Sequence, residues 1–145
     1  MEESYAGAFE FEKVEIIAAD GVAIDVKLQV MQITIFEDTF NSAIHGEITF
    51  NDNFNLQNTL PLIGQELLRL KIKTPIFEDD ENSIDFTEQV FALFELTDTK
   101  ILNDNNQVHT MRFISMEHMR NQRTKISRTL EGTYSDIVTQ IMKKD

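Results

Sequence analysis

The 145-residue sequence has no cysteine and no tryptophan, and only two prolines and five glycines. Without cysteine there is neither a disulfide framework nor a thiolate metal site, which fits a reducing compartment such as the cytosol. Without tryptophan, the eleven phenylalanines become the natural anchors of a core. Basic residues are scarce: 13 Lys and Arg against 25 Asp and Glu, a formal net charge of −12. The average field of such a chain favours solubility and repels nucleic acid, so specific nucleic-acid binding is not expected. No apolar run approaches the roughly 20 residues that a membrane helix needs, so no direct membrane insertion is expected. The opening MEESYAGAFEFEK is acidic and lacks the apolar stretch of a secretory signal. Repeats and Pro- or Gly-rich linkers are also missing. What remains is an ordinary apolar fraction, 41%, and enough length for one domain with a real core.

Period-two alternation dominates. Val22, Ile24, Val26, Leu28 and Val30 alternate with Asp25, Lys27 and Gln29, which predicts one half-buried strand after the Ala19-Asp20-Gly21 turn. Val14 and Ile16 predict a short strand ahead of that turn, and FEDTFNS breaks the pattern. Ile44, Gly46, Ile48 and Phe50 share one face of the next strand, opposite His45, Glu47 and Thr49. Gly46 on the apolar face marks a bend or a close backbone approach. Leu68, Leu70 and Ile72 alternate with Arg69, Lys71 and Lys73. Between Val90 and Leu96 both faces are apolar, the pattern of a strand covered on both sides. NDNNQ is a turn, and VHTMRFISM is the strand returning from it.

After that strand the period changes. EHMRNQRTKISRTL reads as a short helix and then a loop. Thr133 and Asp136 have capping-box spacing, and Tyr134, Ile137, Val138, Ile141 and Met142 form one helical stripe. A helix of about a dozen residues needs a partner. Either it packs on the sheet or the chain is the front part of a longer protein, and the second is expected. The fold class is therefore mainly β: a β-barrel of six or seven largely antiparallel strands over residues 10–116, then a helical tail over 117–145 that begins a further region.

Candidate chemistry is sparse. Asn51, Asn53 and Asn55 match the first, third and fifth positions of an EF-hand loop, but Leu56 stands where Gly is needed and Leu62 where a bidentate Glu closes the site. The stretch reads as a connector between strands. His45, His109 and His118 lack metal-ligand spacing and read as surface or rim histidines. Glu37 with Asp38, and the Glu78 to Glu81 run, read as solvated loops rather than paired catalytic acids. There is no Gly-x-Ser-x-Gly elbow and no Gly-rich phosphate cradle. No catalytic residue, metal or cofactor is expected, and the chain is not expected to be an enzyme.

Charge is unevenly placed. IFEDDENSID carries Glu78, Asp79, Asp80, Glu81 and Asp85 without a base, whereas Arg112, Arg120, Arg123, Lys125 and Arg128 crowd the stretch after residue 111. Two solvated segments account for this, and so does self-assembly through opposite faces.

In order, these segments resemble the baseplate hub protein of T4-like contractile-tail bacteriophages. That family shows an alternating strand, a turn with Asp before Ser or Thr, and a strand carrying Gly, Ile or Leu, Phe and Asp at alternate positions. Asp38-Thr39 and Gly46, Ile48, Phe50 and Asp52 fill those places. Gly64, Glu66 and Ile72 match the next element, and Ser115 and Glu117 match the strand end that leads to a helix. The likeness covers roughly residues 22–142. It implies a structural virion protein: the first barrel domain of a hub whose trimer forms a ring joining the tail tube to the central spike, made in the host cytoplasm. Type VI secretion spike proteins carry a similar hub region. The implied partners are further copies of the chain and tail-tube and spike proteins. Gly46 and Gly64 become strand positions where the barrel bends. Glu78, Asp79 and Asp80 on one side and Arg120, Arg123, Lys125 and Arg128 on the other become the implied assembly contacts. The alternative is a ligand- or carbohydrate-binding barrel using Phe36, Phe40 and Phe54 around a concave face.

Overall fold

The computed structural model describes residues 8–53, 64–74, 83–103, 106–125, 127 and 129–142. Among the described residues, seven strands form one antiparallel sheet: β1 (Glu10–Ile17), β2 (Ala23–Asp25), β3 (Val30–Phe36), β4 (His45–Asp52), β5 (Leu67–Lys73), β6 (Ser83–Asn103) and β7 (Asn106–Ser115). Two helices follow, α1 (Met116–Arg123) and α2 (Tyr134–Met142). The expected mainly β domain with a C-terminal helix is the fold observed.

The sheet order is β2-β1-β5-β6-β7-β4-β3. β2 and β3 thus lie at opposite ends, although only Val26 to Gln29 separate them. Laid flat, seven strands would put those ends about 29 Å apart, at about 4.8 Å per spacing. The five steps from Asp25 to Val30 reach at most about 18 Å. The sheet must curl. Val26 N–H donates to Val14 O on β1 (2.9 Å), and Gln29 O accepts from Asn51 N–H on β4 (2.8 Å). One short corner therefore bridges both flanks, while the ladder stays open between β2 and β3: a curled, half-open barrel.

That corner overturns the single strand expected from Val22 to Val30. Asp25 Oδ1 accepts the Lys27 N–H at 2.8 Å, and the N–H groups of Gln29 and Val30 both donate to Val26 O. An Asp side chain that captures the backbone two residues on turns the chain however regular the alternation around it. Leu28 is left at the tip, 89% exposed.

Elsewhere alternation translates directly. In β4, Gly46, Ile48, Phe50 and Asp52 are buried. In β5, Leu68 and Leu70 are. With Val14, Ile16, Leu93 and Met111 they fill the curl around three buried rings, Phe50, Phe91 and Phe113. The Phe91 and Phe113 ring centroids lie 4.8 Å apart. Gly46 is the expected close approach: a Cβ there would collide with Thr34 O and lie 2.5 Å from Phe113 Cζ. The glycine leaves room for the Phe113 ring, its cross-strand partner.

β6 is covered on both faces only at Phe91, Ala92 and Leu93. Its pairing with β5 stops at Ala92, and its pairing with β7 runs on to Asn103. The expectation of two-sided cover as far as Leu96 therefore fails beyond Leu93. Phe94, Leu96, Ile101 and Leu102 are exposed.

Candidate functional site

The end of the barrel near Ser115 holds a chemically mixed pocket, about 290 Å³, lined by the turn before β5, by Ala92 and by α1. Gly64 enters that turn at φ +80°, a conformation open to glycine at no steric cost. It therefore belongs to a turn rather than to a strand bend. Its N–H donates to Glu66 Oε2 at 2.9 Å, and the Leu93 N–H donates to Glu66 O at 2.9 Å. The Glu66 side chain is fully buried: its carboxylate closes the turn on Gly64, and its backbone carbonyl ties the turn to β6.

The opposite wall is α1. Ser115 ends β7 with its N–H on Ile44 O at 2.8 Å, and the helix starts at the next residue. Met116, Met119, Arg120 and Arg123 line the pocket. They fall at i, i+3, i+4 and i+7, one helical face. That stripe is half apolar and half cationic, which is why the sequence around it lacks a clear helical pattern. Arg120 and Arg123 occupy the last turn of α1, where cations suit the helix dipole.

Every lysine and arginine on a strand has a carboxylate within reach. Lys13 and Arg69 hold Glu15, Lys71 meets Glu12 and Asp85, Lys73 meets Glu10, Lys100 meets Asp98, and Arg112 spans Glu47 and Glu95. Hydrogen bonds to Glu47 and then Glu95 hold the Arg112 pKa above its ordinary value. Burial pushes the Glu15 carboxyl up, but hydrogen bonds and charge from Lys13 and Arg69 overcome that, and its pKa ends below the usual value. Arg120, Arg123 and Lys125 pair with no carboxylate among the described residues.

The structure thus brings Gly64, Arg120 and Arg123 to one pocket. Lys125 lies exposed just past α1. Gly46 lies apart, under Phe113. Glu78, Asp79, Asp80 and Arg128 fall outside the described residues, as do Phe54, Asn55, Leu56 and Leu62. Asn51 sits in β4, and among the described residues no three His, Asp or Glu side chains gather as a metal site. Phe36 stacks on His45, and Phe40 is 98% exposed.

His109 corrects an expectation. It is not a surface or rim residue but fully buried. Its Nδ1 lies 3.0 Å from Thr99 Oγ1, its Nε2 lies 3.4 Å from Asp52 Oδ2, and its ring leans on Phe50. The ring is hydrogen-bonded to Thr99 through Nδ1, while Nε2 faces the Asp52 carboxylate without completing a hydrogen bond. One side chain so braces β4, β6 and β7. Asp52 on the apolar face of β4 was the visible signal, because a buried charge needs a partner.

No protein-family model matches the chain, and no curated protein matches it.

Proposed function

We propose that this chain is a structural assembly module of a phage tail baseplate hub, part of a ring that joins the tail tube to the central spike. The observation that carries the assembly reading is the charge contrast. In a chain of net charge −12, the strand cations are all engaged, whereas Arg120 and Arg123 line a pocket and pair with no carboxylate among the described residues. Such arginines suit an acidic segment of a neighbouring subunit, and contacts of this kind set register and specificity. The segment around Asp79 supplies that chemistry in a second copy. The hub assignment itself rests on the order of motifs from residue 22 to 142 and on the barrel-like fold.

The test is sedimentation of the Arg120→Glu, Arg123→Glu double variant. Ring- or trimer-sized particles of the parent are expected to be lost, with the circular dichroism spectrum unchanged. Unchanged particles overturn the reading. A second reading is favoured by the same pocket: with two methionines and two guanidiniums on its wall, it fits a small anionic ligand. A strict monomer whose melting temperature rises with a carboxylate or phosphate ligand, and falls back in the same variant, supports that reading instead.

A further inference from the structure

The two ends of the sheet are unequally protected. Natural sheets blunt their edges with short strands, charges, prolines or bulges. β2 follows that rule, with three residues ending in Asp25. The arm of β6 beyond Ala92 carries Glu95, Asp98 and Lys100. β3 does not follow it. Its seven residues, VMQITIF, hold no charge and no proline, and a bulge disturbs only Val30 to Gln32. Among the described residues nothing pairs with its outer side.

We propose that β3 pairs antiparallel with β3 of a second copy about a two-fold axis through Ile33, joining two curled sheets edge to edge. This goes beyond the hub reading and does not depend on it. The occupant follows from the sequence of the strand. Centred on Ile33, the pattern is a palindrome in polarity: Ile33 meets Ile33, Gln32 meets Thr34, Met31 meets Ile35 and Val30 meets Phe36. The two inner pairs match in face as well as polarity, with Ile33 towards the core and Gln32 and Thr34 outward, whereas the bulge at Met31 places Val30 and Phe36 on opposite faces of the sheet. Shifting by two residues sets Gln32 against Phe36 or Val30 against Thr34, and shifting by one inverts the faces. The two-fold operation makes the contact isologous and closed, with backbone hydrogen bonds supplying the adhesion.

The flanks agree. Lys27, which pairs with no carboxylate among the described residues, comes opposite the Glu37-Asp38 side of the other copy. Leu28 and Phe40, the two large apolar side chains of the β3 flanks left most exposed, are carried towards each other across the same ends. In so acidic a chain, an uncharged edge with opposite charges at its ends is where two copies can meet.

The experiment is light scattering after size exclusion over a concentration series of the whole chain, with charge swaps on the outward face of β3. With ring assembly removed by Arg120→Glu and Arg123→Glu, the chain is expected to reach twice the monomer mass. Gln32→Lys with Thr34→Lys sets lysine against lysine at both paired sites and is expected to leave only monomer, with an unchanged melting curve. Gln32→Glu with Thr34→Lys sets opposite charges across the same sites and is expected to restore the dimer. The charge swaps are made in the same background, which separates this contact from ring assembly. A chain that stays monomeric there at the highest concentrations, or a dimer indifferent to both swaps, overturns the proposal.

Discussion

The two ends of the β6–β7 hairpin meet different fates. Near Ser115, Phe91, Leu93 and Phe113 are buried, with Ala92 on the other face beside α1. Near the turn, Ile101 and Leu102 stand in solvent, and the inward group is the His109 brace. Composition separates the ends in part, since VFALFEL is richer in apolar residues than TDTKILN. Neighbours complete the contrast: β5 flanks the first end and stops at Ala92, and α1 shares a pocket with Ala92 there. Burial is thus a property of the layers around a strand as well as of the strand itself.

Substitutions along the hairpin should trace that gradient. Phe113→Ala empties the space between Phe91 and Gly46 and is expected to lose about 3–5 kcal/mol in urea unfolding. His109→Leu keeps the bulk but removes the hydrogen bond to Thr99 and the ring nitrogen that faces the buried Asp52 carboxylate, and about 1–3 kcal/mol is expected by the same measurement. Ile101→Lys at the exposed end should fall within about 0.5 kcal/mol of the parent. A loss at Ile101 as large as that at Phe113 would mean that the arm is covered in solution, and the contrast between the ends would collapse.

Much of this gradient could be read from residue order. The alternation of β4 named Ile48 and Phe50 as inward, and Gly46 as a close approach. Thr133 and Asp136 form the expected reciprocal cap, with Thr133 Oγ1–H on Asp136 Oδ2 at 2.6 Å and the Asp136 N–H on Thr133 Oγ1 at 3.3 Å. The hydrogen bonds from the Thr133 hydroxyl and then its backbone hold the Asp136 carboxyl below its usual pKa. These features are local, so local pattern reports them. The corner at Val26 was missed because alternation measures side-chain facing and is blind to a turn that preserves it. The pocket was missed because Gly64 and Arg120 come together only once β5 and β7 have both paired with β6. The depth of His109 was missed because it depends on Asp52 arriving from another strand.

The corner between Val26 and Gln29 also bears on how quickly this chain finds its shape. β1–β2, β3–β4 and β6–β7 each close locally, but Val14 must find Leu70 and Ile48 must find Met111 before the sheet exists. Such distant pairings place folding in the millisecond-to-second range. During that interval the uncharged edge of β3 is formed and uncovered, so slow or crowded synthesis should divert the chain into aggregates before the curl is complete.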